Sequence, residues 1–200
     1  NHLGATTMPN WCNNSIEISH SDPAKLSALA SAIREGKFLN HIIPVPEDLN
    51  IVAGRVGSED DPAQIDLEAK EKSNLEKYGY SNWYDYCVAK WGTKWDVEAY
   101  DPEDVAVKDN KIEFGFDSAW SPPVGVYEAM VEQGYSVRAY YYEPGMAFAG
   151  RWEDGDDDYV EYGGIKAKDL REYLGEELDD MFGISESALE WEEEEENEED

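Results

Sequence analysis

The 200-residue sequence predicts an α+β fold of the ferredoxin-like kind: a split β-α-β sandwich, its antiparallel sheet covered by helices on one face, with an insertion and a C-terminal helix added. Three observations lead there. Short segments alternate apolar and polar residues as half-buried strands do. Between them lie segments with apolar residues every three or four positions, opened by capping residues and closed by glycine. Their order is strand-helix, strand-strand, helix-strand, which is the split β-α-β order.

Ser15-Ile16-Glu17-Ile18-Ser19 is the first alternating segment. Asp22 then offers an N-cap and Pro23 a first-turn residue. Leu26, Leu29, Ala30 and Ile33 fall on one helical face before Gly36. A Pro-punctuated connection, 38–49, leads to a polar stretch over 50–80 with poor helical spacing, read as an insertion carrying a charged helix over 62–78. Ser81 is placed as the N-cap of a helix in which Trp83, Cys87 and Trp91 recur every four residues, ended by Gly92. Two strands are expected at 96–100 and 111–116, then a helix opened by Ser121-Pro122-Pro123 that buries Val126, Tyr127, Met130 and Val131. A strand over 136–142 and a hairpin, 146–152 with 159–162, around Asp154-Gly155-Asp156 come next. One amphipathic helix over 166–182 closes the domain, with Leu170, Tyr173, Leu174 and Leu178 inward and Gly183 as its stop.

These elements make one domain over 8–183, preceded by a leader, 1–7, that is read as foreign to the native start at Met8. Residues 184–200 are expected to be a disordered acidic tail, dispensable for folding, in which only Leu189 and Trp191 could dock. No apolar run is long enough to span a bilayer. Two cysteines, Cys12 and Cys87, are too few for a disulfide framework and lie beside tryptophans, which fits buried thiols in a cytoplasmic protein.

Charge dominates the composition. Forty-six acidic residues face sixteen basic ones, a formal net charge of -30, where a small soluble domain carries a magnitude of roughly 2–8. Ten of the acids lie between Glu186 and Asp200, so without that segment the charge is still -20. Such a surface repels nucleic acid and anionic membrane. It implies a basic protein partner, or an adaptation to salt or solubility with no partner at all. The carboxylates expected to face a partner are Asp154, Asp156, Asp157 and Asp158 of the hairpin with Glu176, Glu177, Asp179 and Asp180 of the last helix.

Three aromatic-polar knots stand out: Asn10-Trp11-Cys12-Asn13-Asn14, Trp91-Gly92-Thr93-Lys94-Trp95 and Ser118-Ala119-Trp120-Ser121-Pro122-Pro123. They either pack the rim of the core or converge, with Glu143, into a ligand pocket. In the second case Asn13, Asn14, Thr93 and Ser118 would supply hydrogen bonds, Trp11, Trp95 and Trp120 stacking faces, and Lys94 a charge for an anionic group or an internal carboxylate, with Cys12, Trp91 and Ser121 also in the pocket. Trp11, Trp95 and Trp120 are expected close together in either case. With Tyr142-Glu143-Pro144-Gly145 and Phe148-Ala149-Gly150 in the same order, the knots resemble the YubB-like family of plasmid and bacteriophage proteins over about residues 8–152. The resemblance implies a ferredoxin-like domain and an origin in mobile genetic elements, and supplies no catalytic residues.

Catalytic patterns are scarce. His20 and His41 have no motif-level partner that would activate a Ser or Cys, and no phosphate-binding glycine loop occurs. Asp154, Asp156 and Asp158 alternate like the start of a calcium loop, but Tyr159 and Ile165 stand where that loop needs Gly and Glu, so a solvated hairpin turn is expected. The sequence therefore reads as a protein without chemistry, cofactor or metal, which binds a basic host protein such as a nuclease, a defence protein or a DNA-binding regulator. A protein that holds or processes a small ligand or nucleotide in the aromatic pocket is the competing reading.

Overall fold

A computed structural model describes residues 9–198, so the expected leader over 1–7 lies outside the described residues. Strand β1 (Trp11–Ser19) pairs antiparallel on one side with β2 (Lys111–Ala119) and on the other with β3 (Ser136–Glu143). β3 continues into β4 (Phe148–Glu153) and β5 (Asp156–Glu161), giving the order β2-β1-β3-β4-β5. β2 and β3 are thus parallel to each other and straddle β1, and helix α5 (Val124–Glu132) crosses between them. That is the split β-α-β unit.

The second expected strand, 96–100, is reduced to one antiparallel bridge, Ala99 to Phe116, on the outer edge of β2. It stands where a ferredoxin-like sheet places its edge strand. The regular pairing stops because Pro102 and the acidic turn after it bend the chain away. β1 is longer than its alternating core. The Trp11-to-Asn14 knot is its first half, because Cys12 and Asn14 continue the inward phase of Ile16 and Ile18.

Helices α1 (Pro23–Arg34), α2 (Phe38–Ile42), α4 (Trp83–Trp91) and α5 cover one face. Asp22 caps α1 through the N–H of Ala24, and the cap of α4 is Asn82, one residue beyond the expected Ser81. Gly125 is required where α5 meets α4, since a Cβ there would overlap the carbonyl of Lys90. The insertion carries α3 (Pro62–Tyr78), pinned by Asn74, whose amide donates to the carbonyls of Asp48 and Ser81.

The expectation of helices on one face is incomplete. Val137, Ala139 and Tyr141 of β3 enter the main core, while Tyr140 and Tyr142 point into a second core under three further helices. The single helix expected over 166–182 is broken at Gly175, whose φ of 87° and ψ of 149° no L-residue adopts readily, into α6 (Ala167–Leu174) and α7 (Glu176–Phe182). The segment expected to be a disordered tail is helix α8 (Ile184–Glu198). Ile184 is buried against Leu170 and Leu178, Ala188 packs beside them, and Glu192 accepts the N–H of Ala167 at the start of α6. Ile184, Ala188 and Trp191 share one helical stripe, an apolar face that the run of glutamates hides in composition.

Truncation separates the packed part of α8 from the rest. Ending the chain at Gly183 exposes the second core, a loss comparable to deleting a buried Ile side chain at roughly 2–5 kcal/mol, so the melting temperature should fall by at least about 4 °C. Ending it after Glu192 should change the melting temperature little. Equal melting of full-length and Gly183-terminated chains would mean that α8 does not dock.

Candidate functional site

The three knots meet at one end of β1. The rings of Trp11 and Trp95 lie 6.3 Å apart, and Lys94 sits 4.1 Å from the Trp95 ring, 5.5 Å from Trp120 and 5.7 Å from Tyr84. Register explains the convergence. Trp11 pairs with Ala119 across β1 and β2, so Trp120 leaves the strand beside it, in a positive-φ turn whose N–H donates to the carbonyl of Asn10. The tryptophans stay open to solvent, with Trp11 44%, Trp95 39% and Trp120 40% exposed. Among the described residues Lys94 makes no ion pair, so its ammonium is held by aromatic faces.

The polar members of the expected pocket do not face this cluster. Asn14 is buried, and its amide donates to the carbonyl of Cys12 and to Ser118 Oγ at 2.8 and 2.9 Å. Ser118 donates to the carbonyl of Ser121, Thr93 to that of Ala119 and Ser121 to that of Gly92. Trp91 turns inward and donates its indole N–H to the carbonyl of Ile43. Asn13 lies on the other face of β1 and donates to Asp117, which also takes the Tyr100 hydroxyl. These residues join strand and turn ends to one another, because a buried polar group needs a partner and the nearest are backbone carbonyls. The expected single pocket is therefore divided. An exposed aromatic patch around Lys94 stands outside a buried, internally satisfied polar network.

Glu143 also has a structural place. It is 1% exposed, and its two carboxylate oxygens accept the N–H groups of Gly145 and Met146, closing the turn between β3 and β4. Lys94 and Trp95, with Trp83, Cys87 and Asp96, line a separate cleft of about 370 Å³. Burial pushes the Asp96 carboxyl above its ordinary value, although the N–H groups of Asn40, Leu39 and Val97 that it accepts act the other way.

The eight carboxylates expected to face a partner fall into two groups. Asp154 accepts the Val137 N–H and the Ser136 hydroxyl, Asp157 takes the Tyr141 hydroxyl and Glu177 that of Tyr140. Asp179 is buried, where it takes the N–H and hydroxyl of Ser185 at the start of α8, and Arg171 bridges it to Asp180. Asp179 is thus a helix-start ligand that no partner could touch. Its place follows from the break at Gly175, which turns α7 inward. Asp156, Asp158 and Glu176 hold no hydrogen bond or ion pair among the described residues and are exposed. Asp158 of β5 and Glu176 and Glu177 of α7 line one cleft of about 250 Å³, with Arg151 beside them.

A larger groove on the second face lay outside the sequence reading. It measures about 600 Å³ and runs between α8 and the β3–β4 turn, lined by Tyr142, Pro144, Gly145, Tyr162 and Trp191 among others. The signal was the spacing of Ile184, Ala188 and Trp191, which aims Trp191 at the same edge as Tyr142.

No family model matches the chain, and no curated protein matches it. Among solved structures, a crystal structure of protein api92 from Yersinia pseudotuberculosis, described with the family DUF1281, aligns over 78% of this chain and 99% of its own at 14% identity and a TM-score of 0.37. A likeness at that level carries no argument about fold or function.

The thiols have an outcome that can be checked directly. Cys12 and Cys87 are both buried, and burial pushes each from the ordinary 9.0 up to about 12. Neither should react with a thiol reagent at pH 8 until the protein opens. Above 9.0 the unfolded chain loses thiol protons that the folded chain keeps, so stability should fall as pH rises from 9.0 toward about 12. Rapid labelling of either cysteine in the native protein would contradict this.

Proposed function

We propose that this is a binding protein without chemistry of its own, which captures a basic protein through carboxylates fixed on rigid elements. The observation that carries the reading is the cleft between β5 and α7. Asp158, Glu176 and Glu177 line it, and Asp156 stands on the same strand as Asp158. Carboxylates held on a strand and a helix keep their spacing when a partner arrives, so little ordering entropy opposes association. With a net charge of -30, long-range attraction speeds encounter with a basic surface and repels nucleic acid.

The resemblance to the YubB-like plasmid and phage family supports a setting in which the partner is a host nuclease, defence protein or DNA-binding regulator, met in the host cytoplasm. There the acidic surface stands in for the phosphates of a nucleic acid. A second reading, a small-ligand or nucleotide-binding protein, is favoured by Lys94. On a chain so rich in acids its ammonium lies among tryptophan faces, an arrangement that suits an anionic ligand with a flat ring.

Replacing Asp156, Asp158 and Glu176 together by Asn or Gln separates capture from folding, because none of the three supports an internal contact among the described residues. The melting temperature should hold. The association rate with a basic protein recovered from host lysate should drop several-fold at low salt and far less above 0.5 M, where the screening length falls well below its value of about 10 Å at 0.1 M. Binding indifferent to salt, or nanomolar binding of DNA or RNA, would remove the acidic-capture reading. A nucleotide that shifts the Trp95 and Trp120 indole signals would favour the second.

A further inference from the structure

We infer that the groove beneath α8 is an arginine-recognition site, the point at which one guanidinium of a basic partner is gripped. The inference rests on the acidic-capture reading and adds to it a specific contact. Tyr142 and Tyr162 line one wall, with Phe182 packed against Tyr142. Tyr142 stacks on Tyr162 at 6.1 Å and 24°, and on Phe182 at 5.7 Å and 27°, so their faces are nearly parallel. Across the groove stands Trp191, 70% exposed, which leaves its ring face open to a ligand.

The charge of the groove selects what covers it. Glu192 lines it, and its Oε1 accepts the Ala167 N–H, leaving Oε2 without a partner among the described residues. The buried Glu143 carboxylate lies behind the same turn, compensated by backbone N–H groups and, among the described residues, by no cation. No lysine or arginine lines the groove among the described residues. Aromatic faces edged by the Glu192 carboxylate, on a chain of net charge -30, complement a cation with a flat face. Guanidinium meets that need better than ammonium, because it is planar, weakly hydrated and stacks on rings while its edge donates to a carboxylate. The volume of about 600 Å³ leaves room for the aliphatic stem and the backbone that carries it.

The test titrates the full chain with a blocked Gly-Arg-Gly peptide, followed by NMR at the Trp191 indole N–H. The controls are the same peptide with lysine, with neutral citrulline in place of arginine, and polylysine as a probe of acidic capture alone. Arginine should move the Trp191 signal and bind at least about fivefold more tightly than citrulline. Trp191→Ala should abolish the arginine preference with no change in melting temperature, since the ring is largely exposed, and Glu192→Gln should weaken it while the glutamine oxygen still accepts the Ala167 N–H. Equal shifts with citrulline, or an arginine preference retained in Trp191→Ala, would overturn the inference. If polylysine still binds in a salt-sensitive way in that case, acidic capture stands without the groove. If polylysine fails as well, the reading beneath falls with it.

Discussion

A carboxylate oxygen accepting a backbone N–H is the interaction on which this fold depends. With sixteen cations for forty-six acids, a carboxylate near the interior cannot count on a lysine or arginine. Backbone amides take that part instead. Asp22 and Asp61 open α1 and α3, Asp96 holds the first turn of α2 from a distant segment, and Glu143 closes the β3–β4 turn. Asp154 ties the hairpin to β3, Asp179 starts α8, and Glu192 returns from α8 to start α6. Unsatisfied N–H groups at helix starts and turns are the natural receivers of negative charge, so the acids and the chain ends compensate one another.

This division of labour decides which charges are available to a partner. A carboxylate that closes a turn is held by the fold, and altering it loosens the fold before it alters recognition. One that points outward from β5 or from the start of α7 is free to meet a cation. The excess is therefore sorted by geometry into an internal set, paired with amides, hydroxyls and, at Asp179, Arg171, and an external set with fixed spacing. The aromatic cluster around Lys94 shows the same scarcity of pairing from the other side, since among the described residues a cation there is held by π faces.

Much of the fold was legible because its elements carry local punctuation. Asp22-Pro23, Pro62 and the Trp83, Cys87, Trp91 repeat place α1, α3 and α4 with ends correct to within about two residues, and alternation places β1, β2 and β3. The misreadings came where tertiary contact overrides local pattern. Gly175 breaks a continuous amphipathic pattern because α7 must turn against β3 and β4, and α8 is stabilised by Ile184 and Ala188 rather than by its glutamates. The convergence of the knots was readable, but not which side of β1 each polar residue takes. That depends on register, which sends Asn14 inward to Ser118 and Asn13 outward to Asp117. The groove beneath α8 needed a helix that composition argued against.

The free edge of the sheet has a further consequence. β5 is the terminal strand, its outer side uncovered by any sixth strand among the described residues, and its sequence begins Asp156-Asp157-Asp158. Bare strand edges invite identical chains to zip together, which is how many sheet proteins coalesce at high concentration. Here two copies pairing in parallel would bring their aspartates face to face, and two pairing antiparallel would set Asp156 near Glu161, so either zipper meets like charge. The strand thus needs no cap of protein to remain solitary. Its guard is electrical, and it lasts as long as those side chains keep their charge.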